Sequence, residues 1–517
     1  MADMSHGAWW NHIHGPVEQI MEGRFTRLFG NLPAATFSEA DLEKLADAMT
    51  ADAEETPTKE GEPDAEENSG ITSAYTYLGQ FIDHDLTLDP TSHLRKHVTP
   101  AQLRALVDFR TPKFDLDCVY GRGQTDQPYL YAGNKMQVGG RLSGNPQDPK
   151  AVDLPRGPNG RALIGDPRND ENRIVSQLQA TMLRFHNRVL ADSPGASFED
   201  VQNAVRWHYQ WVVINDFLPT IINADTIGHV FPHLKHGGSI KDHPPRLSIP
   251  KLHDGLELMP VEFSVAAYRF GHSMIRPIYR LNESIERRPI FSTAMDVAGD
   301  LGGFRPIPND WAIDWQSFID IEHGTAPAPD PNPRDAVVRG PQPAYKIDTS
   351  LVNPLAFLPE RVATDPSSLG LRNLLRARDF GLPSGQAIAH AIGAPVIHDD
   401  ELVIGKATAD PADVKRPIVD IAPGFAGNAP LWTYVLAEAQ VTSLKRPHPE
   451  VTDPDRIPIS LGPVGGTIIA EVFAALLLGD RGSFLRANPT FEPDPAYRHE
   501  GAFGLAQLIN AAIGHEP

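Results

Sequence analysis

The chain has 517 residues, of which 41% are hydrophobic and 22% are charged, an ordinary composition for a globular protein. Its formal net charge is −20 at pH 7, which argues against nucleic acid and anionic membranes as partners, because both are bound through basic patches. The single cysteine, Cys118, excludes an intrachain disulfide, so no oxidising compartment is implied.

The first residues and the most apolar stretch were compared with the patterns of signal peptides and membrane spans. The first residues, MADMSHGAWWNHIHG, lack the charged and then apolar pattern of a secretory signal peptide. The longest apolar stretch, residues 465–478, contains a Glu and is too short to span a bilayer. We therefore expect no membrane span, and a protein that is either cytoplasmic or exported without a signal peptide. The oligomeric state is not predicted.

Apolar spacing and segment length predict a mainly helical chain with long irregular loops and little β-structure. Residues 51–70 are acidic and contain Pro and Gly, so they are expected to end an N-terminal extension, residues 1–70, as a solvated linker. Residues 71–517 are expected to form one large domain. Its predicted helices cover residues 71–88, 170–192, 199–223, 260–275, 368–379, 383–392, 463–479 and 501–513. The 48 prolines favour long loops between them, such as 97–170 and 323–366.

The first predicted helix contains the sequence GQFIDHD at residues 79–85. Gln80, Asp83 and His84 lie three or four residues apart and therefore share one helix face, whereas Asp85 points about 100° further round. The apolar residues around them favour a buried helix, on which polar side chains need partners. A histidine flanked by acids on a solvated helix is the alternative.

The loop TPKFDLD, residues 111–117, alternates oxygen-bearing residues with residues that can point away. Calcium takes roughly six to eight oxygen ligands, which include carboxylates, carbonyls and hydroxyls. The donors that could bind such an ion are Asp85, Thr111, the Lys113 carbonyl, Asp115 and Asp117. An ordinary acidic surface turn is the alternative.

Two later segments carry further candidates for ligand binding. Residues 165–171 read GDPRNDE, so Arg168 and Glu171 lie three apart at a helix start and can face one ligand. A weak surface ion pair is the alternative. Residues 268–277 read YRFGHSMIRP and place His272 in an apolar helix, as a satisfied core histidine or as an iron ligand.

These segments occur in the order seen in animal-type haem peroxidases of the peroxidase–cyclooxygenase superfamily, and the chain resembles a bacterial-type member. The resemblance covers residues 71–515 and includes VYG at 119–121 and RNLLRARDFGLPSG from Arg372. It implies the helical animal-type peroxidase fold, with residues 71–517 as the catalytic domain. Two positions depart from the pattern: Asp117 stands where many members have Ser or Thr, and Phe380 stands where His is usual.

The resemblance also implies an activity and a cofactor. It implies a haem-dependent peroxidase that reduces hydrogen peroxide and, through a ferryl intermediate, oxidises small organic reductants or halides. The cofactor is haem b, with His84 as distal acid–base catalyst, Arg168 polarising the peroxide and Gln80 lining the distal cavity. The residues implied to hold the haem are His272 as iron ligand, Asp83 and Glu171 through esters, Arg269 through a propionate, and Asn373, which accepts a hydrogen bond from His272. A calcium ion is implied at Asp85 and the 111–117 loop.

Two alternatives to a peroxidase remain open. A fatty-acid dioxygenase of the same superfamily needs a radical-forming Tyr three residues before the proximal His, but here that residue is Arg269 and Tyr268 lies one position earlier. A haem-fold adhesion module without catalysis is the other, and the presence of His84, Arg168 and His272 argues against it. The physiological reductant and the use of halides are not predicted.

Overall fold

The computed structural model describes residues 23–53, 67–253, 255–292, 299–321, 340–408, 413–449 and 457–513. In these ranges the protein is mainly helical with short strands, which confirms the predicted fold class. The longer helices are α1 (Glu39–Ala48), α2 (Ala74–Leu86), α3 (Arg173–Asp192), α4 (Phe198–Val212), α5 (Leu369–Asp379), α6 (Gly385–Ile392), α7 (Leu431–Lys445), α8 (Pro463–Gly479) and α9 (Leu505–Ile513).

Shorter helical turns connect these helices. The α-helical turns are Pro100–Ala105, Asp117–Tyr120, Leu218–Ile221, Ala224–Val230, Pro232–His236, Asn353–Ala356, Ile418–Ile421 and Phe484–Ala487. The 3₁₀ turns are Pro128–Leu130, Pro167–Asp170, Pro250–Leu252, Trp315–Ser317, Pro423–Phe425 and Pro495–Tyr497. A π-helical turn, Val213–Phe217, continues α4. Among the described residues, no helix is long and apolar enough to cross a bilayer.

The strands form small separate sheets. They are β1 (Gly23–Thr26), β2 (Asn68–Thr72), β3 (Val107–Asp108), β4 (Tyr131–Ala132), β5 (Lys135–Met136), β6 (Met259–Pro260), β7 (Ile278–Tyr279), β8 (Arg288–Pro289), β9 (Pro343–Tyr345), β10 (Val403–Ile404) and β11 (Arg416–Pro417). β1 lies between β3 and β6, antiparallel to β3 and parallel to β6. The pairs β2–β9, β4–β5, β7–β8 and β10–β11 are antiparallel.

Helices α7 and α8 pack against each other in the centre of the hydrophobic core. Residues 468–477 of α8 are all buried, and so are residues 431–440 of α7. Glu438 on α7 accepts hydrogen bonds from the amides of Val464 and Gly465, so it caps the start of α8. The sequence predicted α8 with its observed bounds, because it contains a long apolar run. It missed α7, in which Thr433, Glu438 and Gln440 are buried among the apolar residues, so that neither an amphipathic spacing nor a continuous apolar run is present.

Helix α2 passes through the core with Phe81 and Ile82 fully buried. It packs against α3 and against the segment that contains His272. The predicted helix over residues 71–88 begins too early, because the residues up to Thr72 pair with β9 instead. This position of α2 brings its polar face close to two other elements that carry predicted site residues.

The predicted helix over residues 260–275 is present but is not a regular α-helix. A π-helical turn, Glu262–Ala266, is followed by a 3₁₀ helix, Ala267–His272, and we call the two together the proximal segment. Glu262 is fully buried and accepts hydrogen bonds of 3.0 Å from the amides of Leu28 and Phe29. Turns of π-helix are frequent at functional sites.

Residues 23–53 share the main hydrophobic core, through side chains that include Phe25, Leu42 and Leu45. Helix α1 packs on α5. The described part of the predicted N-terminal extension is therefore joined to the main body, and a domain boundary at residue 70 stays a sequence-based prediction. Most of the predicted acidic linker, and part of the predicted loop 323–366, lie outside the described residues.

Candidate functional site

The polar face of α2 meets the segment that precedes α3. His84 is 4% exposed, and its Nδ1 lies 2.7 Å from Oδ1 of Asn169. Its Nε2 lies 3.4 Å from Oε1 of Glu171, and Nε2 of Gln80 donates a hydrogen bond of 2.6 Å to the same oxygen. The structure thus brings together the predicted imidazole, amide and carboxylate, and it adds Asn169, which the sequence did not single out.

Arg168 is held in place by a carboxylate. Its guanidinium donates to both oxygens of Asp166 at 2.7–3.2 Å, and its Nη2 also donates to the carbonyl oxygen of His84 at 3.1 Å. Burial would raise the pKa of Asp166, but the charges of Arg168 and Arg110 hold it well below its ordinary value. Because Asp166 is therefore ionised, the guanidinium is fixed beside the backbone of α2.

Glu171 remains charged although it lies inside the protein. Burial would raise its pKa, but the hydrogen bonds from His84 and Gln80 and the charge of Arg168 lower it below the ordinary value. Its side chain keeps 37% of its surface exposed, so it borders open space. An ionised carboxylate that accepts hydrogen bonds from Gln80 and His84 therefore lies directly in front of His84 Nε2.

The proximal segment ends at His272, whose Nδ1 lies 2.8 Å from Nδ2 of Asn373 on α5. Burial, and then the charge of Arg269, lowers the pKa of His272 to about 3, so the ring is neutral, as metal ligation requires. The predicted pairing is present, but its direction differs, because an amide nitrogen donates whereas Asn373 was predicted to accept. A half-turn of the amide exchanges its oxygen and nitrogen and restores the predicted direction.

Arg269 of the proximal segment lies near Arg372 and Arg376 of α5, and we call these three residues the arginine group. Burial, and then the charge of Arg269, lowers the pKa of Arg376 to about 10. Burial and the charge of Arg376 also lower the pKa of Arg372. The nearest carboxylate to Arg376 is Asp89 at 3.8 Å. The sequence missed Arg372 and Arg376, although their spacing on either side of Asn373 was a usable signal.

Helix α2 packs against both the turn Pro167–Asp170 and the proximal segment. The partly exposed polar side chains of these elements and of Glu171, which follows the turn, are Gln80, Asp83, Arg168, Glu171, Arg269 and His272, and we call the space that they border the crevice. Asp83 interacts electrostatically with Arg168 and with Arg269, so it lies between the two sides. A Cβ atom added to Gly271, beside His272, would meet no other group within 4 Å. An open space with a neutral imidazole, a buried histidine and surplus positive charge fits a macrocycle that carries carboxylates.

Asp85, Asp115 and Asp117 form an acidic cluster outside the crevice. One carboxylate oxygen from each lies within 4.8 Å of the others. Oδ1 of Asp85 is buried and has no hydrogen-bond partner. Burial, and then the charges of Asp117 and Asp115, raises the pKa of Asp85 well above its ordinary value, and burial raises that of Asp117 to about 7. Crowded carboxylates with a free oxygen are what a hard cation requires.

The loop around the acidic cluster is held in a strained form. Leu116 has φ +57°, a left-handed conformation that a bulky residue adopts at a cost. Thr111 Oγ1 donates to Asp115 at 2.9 Å, and Lys113 lies in the same loop with its amide bonded to the Thr111 carbonyl. Arg110, which the sequence did not single out, donates to Asp117 at 3.1 Å. It offsets the extra negative charge that Asp117 brings to this position.

The family model for animal haem peroxidase matches residues 94–413. The chain belongs to the animal haem peroxidase family. The match includes the loop 111–117, Arg168, His272 and Asn373, and it begins after α2. Family membership implies a haem cofactor, and the crevice of this peroxidase-family protein fits one.

Relatives and solved structures support the same fold. Thyroid peroxidase of Sus scrofa is 25% identical over 396 residues, which are 72% of this chain and 36% of that protein. Peroxidase A from Dictyostelium discoideum has a TM-score of 0.54 at 17% identity and covers 96% of this chain and 95% of that one. Oryza sativa fatty acid alpha-dioxygenase has a TM-score of 0.50 at 14% identity, and the alignment covers 93% of this chain and 78% of that one. The chain spans 18–36% of the length of the curated relatives it matches.

Proposed function

We propose that this chain is a haem-dependent peroxidase that reduces hydrogen peroxide and oxidises small organic reductants or halides. The observation that carries the proposal is the geometry of His84. It is buried, its Nδ1 is occupied by Asn169, and its Nε2 faces the partly exposed side chain of Glu171. When Glu171 moves away, such a histidine can exchange protons with a ligand in the crevice.

Haem b would lie between α2 and the proximal segment, with Nε2 of His272 as iron ligand. When bound, it supplies an iron centre that takes up two oxidising equivalents from peroxide. Because iron on Nε2 leaves the proton on Nδ1, Asn373 would then present its oxygen, which is the half-turn described above. The arginine group, led by Arg269, would neutralise the propionates.

His84 and Arg168 would act on the peroxide itself. Neutral His84 accepts a proton from hydrogen peroxide at Nε2 and returns it from the same atom to the departing oxygen, which leaves as water. Arg168, fixed by Asp166, stabilises the negative charge that develops as the O–O bond breaks. Gln80 lines the same space and orients the peroxide. For this reaction, Glu171 has to move away from His84 Nε2.

We extend the proposal to ester links between the haem and two carboxylates, Asp83 and Glu171. Both are partly exposed in the crevice, and they lie on different elements. An ester would remove the charge of Glu171 and draw its side chain away from His84. That change would free the imidazole for peroxide, so the link would also serve the acid–base step.

We also propose that the acidic cluster binds one calcium ion. Asp85, Asp115 and Asp117 would supply carboxylate oxygens, and Thr111 and the Lys113 carbonyl would supply the remaining protein ligands. The unpartnered oxygen of Asp85 supports this proposal. Because Asp85 follows His84 directly on α2, a bound ion would also steady the distal helix.

The similarity to fatty-acid dioxygenases makes oxygenation of fatty acids the competing function. The residue three positions before His272 is Arg269, which cannot carry a tyrosyl radical. Tyr268 stacks on Phe263, with ring centroids 4.7 Å apart, in an aromatic cluster. This arrangement favours the peroxidase.

The test is steady-state oxidation of a phenolic dye by the haem-loaded protein with hydrogen peroxide. We expect peroxide-dependent turnover in the wild type and a loss of about 100-fold or more in His84→Ala, because a positioned acid–base group contributes that much. His208→Gln changes another buried histidine, on α4, and serves as the control. Turnover that is absent from the wild type, or unchanged in His84→Ala, would overturn the proposal. Rapid oxygen uptake with a polyunsaturated fatty acid would favour the dioxygenase.

A further inference from the structure

A chain of three hydrogen bonds runs from His84 to the backbone carbonyl of Cys118. Nδ1 of His84 lies 2.7 Å from Oδ1 of Asn169, and Nδ2 of Asn169 donates to Oε1 of Gln179 at 2.8 Å. Nε2 of Gln179 then donates to the carbonyl oxygen of Cys118 at 3.3 Å. Both amide side chains are fully buried, so water does not compete for these bonds.

The far end of this chain determines the direction of every bond in it. A backbone carbonyl can only accept, so Gln179 has to present its nitrogen to Cys118 and its oxygen to Asn169. Asn169 therefore donates to Gln179 and presents its own oxygen to His84. The reverse orientation would place the Gln179 oxygen against the Cys118 carbonyl, which also accepts from the amide of Asp166 at 3.2 Å. The buried Gln179 oxygen would then have no donor, at a cost of about 1–3 kcal/mol.

The consequence concerns the tautomer of His84. In the structure both ring nitrogens face acceptors, Asn169 at Nδ1 and Glu171 at Nε2. Once Glu171 has moved away from Nε2, as the proposed reaction requires, Asn169 is the acceptor that remains, so the proton of the neutral ring lies on Nδ1 and Nε2 is unprotonated on the crevice side. This is the form that can accept a proton from peroxide. The same bond fixes the orientation of the ring, since a flip about its long axis would face a carbon toward the Asn169 oxygen.

The position of Asn169 links this chain to Arg168. Both residues belong to the 3₁₀ turn Pro167–Asp170, which Asp166 caps by accepting from the Arg168 amide at 2.8 Å. One rigid turn therefore presents the guanidinium and the histidine acceptor together. Gln179 reaches the turn from the buried face of α3.

We propose that Asn169, supported by Gln179, is a positioning residue that holds His84 in the tautomer with Nε2 free. The proposal rests on the proposed peroxidase function for its consequence but not for its structural content. Asn169 does not touch the reactants, and it acts only through the ring of His84. Its loss should allow the proton to move to Nε2, which removes the base from the crevice.

The test reads the tautomer directly. Protein labelled with ¹⁵N-histidine is prepared in the diamagnetic ferrous carbonyl form, and the ring nitrogens of His84 are assigned by comparison with His84→Ala. We expect the proton on Nδ1 in the wild type and in Asn169→Asp, which keeps an acceptor at this position. Asn169→Ala and Gln179→Ala should show a new population with the proton on Nε2. Stopped-flow mixing with peroxide should then be slower by about 10- to 100-fold in both alanine variants, as for other residues that orient a catalytic group.

Gln177→Ala is the matched control. Gln177 is a second buried glutamine of α3, and it binds the backbone of Trp311 and Ile313 instead of the histidine chain. The Gln177→Ala variant should lower the free energy of unfolding without changing the His84 tautomer or the rate of reaction with peroxide. An unchanged tautomer in both alanine variants, or the same change in Gln177→Ala, would overturn the inference. Failure of the wild type to react with peroxide would reject the proposed function alone, because the tautomer is measured without turnover.

Discussion

The two sides of the crevice differ in how far they are organised before any ligand binds. On the distal side, His84 and Arg168 are each fixed by hydrogen bonds to buried groups, Asn169 and Asp166. On the proximal side, His272 contacts the amide side chain of Asn373, and the arginine group leaves surplus positive charge nearby. The distal side holds its base and its cation at fixed positions and needs only Glu171 to move away from His84, whereas we expect the proximal side to be completed by its cofactor.

The two sides differ in organisation because they interact with different charges. Proton transfer needs a base and a cation at fixed positions, and the protein supplies both with their partners. The proximal side has to hold a metal and the carboxylates of a ligand, so leaving Arg269 and its neighbours without full compensation favours binding. The following experiments alter one side and ask whether the other side is unaffected.

The largest effect is expected from the proximal histidine. His272→Ala should lose the ferric–histidine spectrum or the haem itself, because no other histidine lies at the end of the proximal segment. The measurement is the Soret band after desalting, with His208→Gln as control. A stable and unchanged Soret band would show that His272 is not the ligand.

Substitution of a distal residue should leave the Soret band of the bound haem unchanged. Arg168→Ala should slow the reaction with peroxide by about 100- to 1000-fold while haem content stays constant. Losing one partner of a buried ion pair can cost about 3–5 kcal/mol, but Arg110 lies 3.0 Å from Asp166 and continues to compensate it. Thermal unfolding and haem content measured beside the rate separate the two effects. Loss of haem in this variant would contradict the division between the two sides.

The ester links should join the haem to the distal side through Asp83 and Glu171. After treatment with peroxide, wild-type protein should keep its haem through acid–acetone extraction, and peptides that contain either residue should carry the haem mass. Asp83→Val and Glu171→Gln should each leave one link, and the double variant should release free haem b. Complete extraction of haem from treated wild-type protein would end the covalent proposal.

Removal of calcium should disturb the distal side more than the proximal side, and the effect should depend on pH. In the calcium-free protein, burial raises the folded-state pKa of Asp117 to about 7 and that of Asp85 well above its ordinary value. A pKa raised by folding means that the calcium-free fold loses stability as pH rises through about 7. Because calcium binds the ionised form, its stabilising effect should grow from about pH 6 to about pH 8.

Thermal unfolding with calcium and with a chelator at both pH values measures this effect. Asp117→Asn should reduce the dependence on pH. An equal or smaller effect of calcium at the higher pH would contradict the binding site, as would elemental analysis that finds no calcium in protein never exposed to a chelator.

The smallest effect is expected at Tyr268. Tyr268→Phe should change dye oxidation by less than about twofold, since the hydroxyl accepts no proton in the proposed reaction. Oxygen uptake with a polyunsaturated fatty acid should be low in both proteins. Strong uptake that disappears in Tyr268→Phe would reverse the order of the two candidate functions.

The predictions from sequence succeeded where a local pattern determines the structure. Helix spacing places Gln80 and His84 on one face of α2, and the apolar run with Pro463 at its start predicts α8. The irregular helix before His272 was not predictable, because apolar spacing does not distinguish α-, 3₁₀- and π-helical turns. Helix α7 was missed because buried polar residues interrupt its apolar residues, so that it shows neither an amphipathic spacing nor a continuous apolar run.

The supporting residues of the site were also missed, for a different reason. Asn169 and Gln179 act through contacts between segments, and neither shows a sequence pattern that differs from an ordinary buried amide. Arg110 is recognisable only once Asp117 and Asp166 lie beside it. The groups that we propose to do the chemistry were visible in sequence, whereas the groups that contact and orient them became visible only in the fold.

The most direct test of the central claim is a single rapid mixing of the ferric, haem-loaded protein with hydrogen peroxide, followed through the Soret band. We expect a fast spectral change whose rate rises linearly with peroxide in the wild type. We expect a rate constant lower by about 100-fold or more in His84→Ala, with the starting spectrum unchanged. An equally fast change in His84→Ala, or no change in the wild type, would contradict the proposed role of His84.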